Sequence, residues 1–253
     1  MKNSLRFLGK ELREILRTYK IYTIPGIFLL FGFASPILTK LLPDLMENLA
    51  GEINIILPEM TWRDSYTQLF KNLTQIGILT VILTAMGTVA EERNRGVAHL
   101  ILTKPVSRTG YILAKYIAHL LLVGVSAIAA FMATWVYTRI LFTGTRFTPG
   151  LTATGLYILY AAVILAITVL ASSLTRSAIA AGGLATAGLF VLGLLPLFSS
   201  GLSKYSPGAL TGYINEVVAG TVPAELWGAA ATAVLSAAAL LALAALSFRR
   251  QEL

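Results

Sequence analysis

Six apolar runs, each long enough to cross a bilayer as a helix, leave this chain few ways to fold. They lie at about 21–42, 70–90, 118–142, 151–171, 178–199 and 226–247. A hydrocarbon core of about 30 Å asks for roughly 20 helical residues. Pro25 and Pro36 interrupt the first run and threonines stud the second, which a membrane helix tolerates because neighbouring helices satisfy the freed backbone groups. With 56% hydrophobic and only 13% charged residues in 253, the chain lacks the polar surface that a soluble domain of this size needs. The expectation is an all-α polytopic membrane protein: one transmembrane domain of six helices over 21–253, preceded by a separate segment over 1–20.

The net charge of +8 does not mark a nucleic-acid binder, because the cations fall between apolar runs and not on one face of a soluble fold. Anionic lipid head groups account for them. Without cysteine, the chain has no disulfide, thiolate metal site or cysteine nucleophile. Lysines and arginines also set the orientation. When both termini are placed in the cytoplasm, Lys10, Arg13, Lys20, Arg93, Arg95, Lys115, Arg176 and Arg249 all fall inside, as the positive-inside bias requires. Asp44, Glu59, Asp64 and Glu225 fall outside. The expectation is a multi-pass protein of the cell membrane with cytoplasmic termini.

The first twenty residues, "MKNSLRFLGKELREILRTYK", repeat Leu5, Leu8, Leu12, Ile15, Leu16 and Tyr19 at helical spacing, beside a second stripe of Arg6, Lys10, Arg13, Arg17 and Lys20. That pattern predicts an amphipathic helix on the inner membrane surface. A signal peptide would have a shorter charged region and a small-residue cleavage site after the apolar run.

Between the second and third runs stands "AEERNRGVAHLILTKPVSRTG", residues 90–110, which the orientation places in the cytoplasm. Val97, Leu100 and Ile101 share a short helical face, and Pro105 disfavours helix at Lys104. Ser107 or Thr109 can cap the next helix, from about Tyr111 toward Phe142. Its thirty-two positions reach about 48 Å, so the first two turns project beyond the hydrocarbon. A lipid anchor needs cations alone, yet Glu91 and Glu92 stand at the membrane exit beside Arg93 and Arg95. The acids and the uncovered apolar face together point to a partner protein.

The string "EERNRGVAHLILTKPVSRTGYILAKYIA" resembles the segment between spans two and three of ABC-2 type transporter permeases, where an acidic-basic-glycine helix precedes a "KPVSR" turn. The resemblance extends to the N-terminal "KELREILRTYK", a long outer loop between the first two spans and "LSKYSPGALTGYI" in the last outer loop. It implies a permease subunit of an ATP-driven exporter, working as a homodimer or paired permease with a separate ATPase subunit that carries the ATP and Mg. The loop would then be a cytoplasmic coupling helix. Glu91, Glu92, Arg93 and Gly96 would lie on or beside the ATPase-facing surface, and Lys104, Pro105 and Arg108 would fix the returning turn. The permease would bind no nucleotide, in keeping with its residues: the sole Gly-Lys pair, Gly9-Lys10, precedes Glu11, whereas a phosphate-binding loop needs Gly-Lys-Ser/Thr.

Other chemistry finds little footing, and a catalytic site of the chain's own is not expected. His99 and His119 are too far apart for a zinc motif, the two aspartates sit in the first outer loop, 43–68, and no serine has an evident base. An ion-coupled secondary transporter is the main alternative, although the spans hold no acid in their interiors; a non-transporting membrane scaffold is another. For a translocation path, span two offers Gln75, Thr80, Thr84 and Thr88. The small-residue-rich spans five and six are expected to pack within the monomer.

Overall fold

The computed structural model describes residues 2–50, 59–96 and 107–250. Among them, every regular element is helical, and six helices are long and apolar enough to cross a membrane: Lys20–Met46, Trp62–Asn94, Arg108–Leu141, Phe147–Leu174, Ala178–Leu197 and Leu226–Arg249. An all-α multi-pass membrane protein is the result. Four of the six spans contain the whole of their expected apolar run, while the third ends at Leu141, one residue short of its run, and the fifth at Leu197, two residues short.

The second span begins at Trp62, well before the apolar residues start. Asp64 accepts hydrogen bonds from the backbone N–H and hydroxyl of Thr61, at 2.8 and 2.7 Å, which ties the helix start. Behind it Tyr66, Leu69 and Phe70 are buried. Capping and one-sided packing carry the helix through Arg63, Asp64 and Lys71, where hydropathy alone suggests a loop. The expected outer loop 43–68 is therefore shorter, since the first helix extends to Ala50. Its residues 51–58 lie outside the described set.

The fourth span is the centre of the bundle. Its most apolar window is 72% buried, against 22–28% for the first, fifth and sixth spans, whose outer faces are left for lipid or another chain. The fourth packs on the third, fifth and sixth, and the first packs on the third. That last crossing is tight at Gly32, where a Cβ would come within 2.7 Å of the Ala130 carbonyl oxygen. Thr134 donates to the Gly32 carbonyl at 2.8 Å across the same contact.

Span two is irregular in two places. A π-helical turn occupies Leu73–Gly77, and regular helix breaks at Met86, between Ile78–Ala85 and Gly87–Asn94. Ser172 of span four fills the second break: its hydroxyl donates to the Met86 carbonyl at 2.7 Å and accepts from the Val89 and Ala90 N–H groups at 3.0 Å each. A buried backbone break needs such a partner in a medium without water.

The N-terminal helix, Lys2–Leu16, lies against the third span. Its inward face is Phe7, Glu11 and Ile15, all buried, while Leu8 and Leu12 are half-buried and Leu16 is 61% exposed. The face that meets protein thus includes an acid, which the leucine stripe did not single out.

Candidate functional site: a charged junction at the helix ends

Where span two ends and span three begins, side chains from four helices converge. Lys115, 1% exposed, donates to Glu11 Oε2 at 3.0 Å and to Glu92 Oε1 at 2.8 Å. Glu11 is itself 3% exposed. The second Glu92 oxygen accepts from the Tyr111 hydroxyl at 2.5 Å. Tyr111 is sandwiched between Phe7 and Phe248, with ring centroids 5.5 and 5.2 Å away. One acid at the exit of span two therefore ties the N-terminal helix to span three, and the ring that holds it also touches span six.

Two further groups adjust the charge. Lys10 lies 2.5 Å from Glu14, 3.1 Å from Glu11 and 3.7 Å from Glu92. Burial opposes its ammonium, but the Glu14 hydrogen bond and the fields of Glu11 and Glu92 outweigh it and hold Lys10 above the ordinary lysine range. Burial likewise favours the neutral form of Glu14, and the Lys10 hydrogen bond, with the fields of Lys10, Lys115 and Lys20, keeps its carboxyl below the ordinary range. Deeper in, His119 Nδ1 lies 2.9 Å from the Lys115 carbonyl. A carbonyl only accepts, so Nδ1 carries the proton and Nε2 the lone pair. That nitrogen accepts from Lys20 Nζ at 3.2 Å and has the Thr88 hydroxyl 3.4 Å away.

A second knot joins spans three and six. Ser107 caps span three by accepting from Gly110 N at 3.0 Å. Arg108 donates to the carbonyls of Phe248 and Arg249 at 3.2 and 2.8 Å, and Arg249 donates to Thr109 at 3.0 Å. A cation on the terminal carbonyls complements the helix dipole there.

The residues singled out from the sequence divide accordingly. Glu92 and Arg108 are engaged within the chain. Glu91 is exposed, with Arg95 3.7 Å away, and Arg93 is half-buried. Gly96 adopts a left-handed φ of +69° just past the helix end, a conformation that disfavours any Cβ. Lys104 and Pro105, with Val97, His99, Leu100 and Ile101, lie outside the described residues. In span two, Thr80 and Thr84 are buried and donate to carbonyls of their own helix. Thr88 turns to His119, and Gln75 is exposed on another face.

Sequence reasoning missed Glu11, Lys115 and Tyr111 as one unit. The available signal was the i, i+4, i+8 spacing of Phe7, Glu11 and Ile15. Glu11, Glu14 and Glu92 offer ligand oxygens within 4.8 Å of one another, but Lys10 and Lys115 already supply the positive charge between them. What the junction can do chemically is hold elements together: it is a buried, multiply bonded link between the N-terminal helix and three spans.

A family profile described as "ABC-2 family transporter protein" matches residues 6–253. The chain is also similar to the uncharacterized transmembrane protein YxlG of Bacillus subtilis (strain 168), with 27% identity over 163 residues, 63% of each chain. The matched part thus spans less than two thirds of that relative's length.

Proposed function

The chain belongs to the ABC-2 transporter family, and from that premise we propose that it is the permease subunit of an ATP-driven exporter, working as a dimer with a separate ATPase subunit. The observation that carries this reading is the charged exit of span two, between the second and third spans of a chain matched by the family profile almost throughout. ATP and Mg belong to the partner. The exposed Glu91, the half-buried Arg93 and the turn at Gly96 lead into 97–106, and with Lys104 and Pro105 they form the docking surface. Glu92 and Arg108 serve behind it as the anchors that pass its motion on.

The mechanism follows from those anchors. Closure of the ATPase dimer on ATP draws the two docking loops together. Because Glu92 is bound to Lys115 and Tyr111, and Arg108 to the end of span six, the push moves the N-terminal helix, the exit of span two and spans three and six as one body. Rigid-body switching of this kind needs no change inside the moving body. The irregular turns in span two, Leu73–Gly77 and Met86, supply bending points at which the rest of that helix need not follow. Gln75, exposed within the first turn, is the group on this helix best suited to the transport path. Thr80, Thr84 and Thr88 contribute to its inner wall only after span two has turned.

Co-purification with the ATPase subunit tests the reading. Glu91→Arg reverses the charge of an exposed side chain, so it inserts and melts like wild type while ATPase binding and permease-stimulated hydrolysis fall by about tenfold or more. Unchanged ATPase binding by that variant removes the docking assignment. Glu92→Ala is the wrong probe, because it breaks the junction itself.

A further inference from the structure

A cavity of about 430 Å³ opens beside the junction, between the N-terminal helix and the starts or ends of the first three spans. Thr88 and His119 lie buried in its wall, Lys20 is half-buried, and Glu14 and Glu91 are exposed around it. Four cations and four carboxylates line it. Lys20 differs from the other three cations: among the described residues its ammonium bonds only to His119 Nε2, with no carboxylate at ion-pair distance. An ammonium has three donors, so two remain for a guest.

The way in is apolar. Leu83 lines the cavity and continues a stripe on span two with Leu79 and Ile76, which are 59%, 42% and 48% exposed. Their spacing places them on one helix face, running from the cavity into the depth of the bilayer. Charged residues begin at the cavity and apolar ones at Leu83, which marks the level of the head groups.

We propose that this cavity is a binding site for one zwitterionic glycerophospholipid of the adjoining leaflet, its phosphate on Lys20 and its amine toward Glu14 and Glu91. The acyl chains lie along Leu83, Leu79 and Ile76. A lining of four cations and four carboxylates, one of whose cations has no carboxylate at ion-pair distance, suits a head group that carries both signs, and an anionic lipid would add a net negative charge to a lining already in balance. The site adjoins the link between Glu92 and Lys115, so an occupant there stiffens the same junction. This proposal rests on the membrane-spanning reading alone, and its test contains no ATPase, so it can fail without the exporter assignment failing.

The experiment is native mass spectrometry of the purified full chain after exchange into detergent with phosphatidylethanolamine or phosphatidylglycerol. Wild type retains one phosphatidylethanolamine per chain in preference to phosphatidylglycerol, and Lys20→Ala lowers that retention by about tenfold. Should Lys20→Ala fold poorly, Leu83→Cys, blocked by a bulky maleimide after folding, loses the lipid to the same extent; the chain has no other cysteine. Four results overturn the proposal: retention unaffected by either change, equal retention of both lipids, displacement by free phosphoethanolamine, or a Leu83→Cys disulfide between two copies that excludes lipid.

Discussion

Lys115→Met removes the ammonium at the centre of the junction while keeping length and helix propensity almost unchanged. Glu11, 3% exposed, then loses its partner at 3.0 Å and keeps only Lys10; Glu92 loses its contact at 2.8 Å and keeps the Tyr111 hydroxyl. Breaking a buried ion pair by deleting one partner costs about 3–5 kcal/mol, because a charge is left without compensation. For a chain of this size that corresponds to roughly 6–20 °C in apparent melting temperature. Lys10→Met is the matched control: Lys10 is 46% exposed, so solvent screening limits its loss to about 1 kcal/mol or less. Melting of the detergent-solubilised protein, followed by size-exclusion chromatography, reads both. A Lys115→Met protein that melts within about 2 °C of wild type, or no further below it than Lys10→Met, shows that the junction does not hold the helices together.

Ser172→Ala leaves the Val89 and Ala90 N–H groups and the Met86 carbonyl without their side-chain partner; it costs about 1–3 kcal/mol and raises hydrogen exchange at Val89 and Ala90 above that of neighbouring amides. Gly32→Ala drives a Cβ against the Ala130 carbonyl and destabilises by about 1–3 kcal/mol through a backbone shift; a melting temperature equal to wild type contradicts the tight crossing. The Glu14–Lys10 pair predicts a pH dependence. Because the folded carboxyl of Glu14 titrates below its ordinary value, its contribution is complete above the unfolded carboxylate range and is lost as pH falls through the folded value. Lys10 titrates above its ordinary value, so its contribution is complete below the unfolded lysine range and is lost as pH rises through the folded value. The stability gap between wild type and Glu14→Gln therefore closes in acid, and a gap that persists after full protonation rules the pair out as its source.

The sequence displays the spans because crossing hydrocarbon imposes a length and an apolarity that show up locally. It also displays the start of span three, where Ser107 and the preceding Pro105 are local signals, and the structure indeed begins that helix at Arg108. The start of span two is hidden, since Arg63, Asp64 and Lys71 are helical through capping and packing and not through apolarity. The break at Met86 is hidden for another reason: it is stable only because Ser172, far along the chain, fills it. Glu11 and Lys115 are 104 residues apart, and each looks locally like part of a charged surface. Their pairing follows from how the N-terminal helix lies on span three, which no local pattern specifies. For span two, threonine spacing marks a shared face, but only packing decides that this face turns inward while Gln75 turns out.

The proposed link between the exit of span two and an ATPase is tested most directly by cross-linking. In a chain without native cysteine, Glu91→Cys carrying a short photoactivatable group is reconstituted with the ATPase subunit and irradiated with and without ATP. The account predicts a cross-link to the ATPase whose yield changes with nucleotide. A probe at residue 91 that labels no ATPase while the complex still forms, or that reacts only with reagents on the opposite face of the membrane, contradicts it.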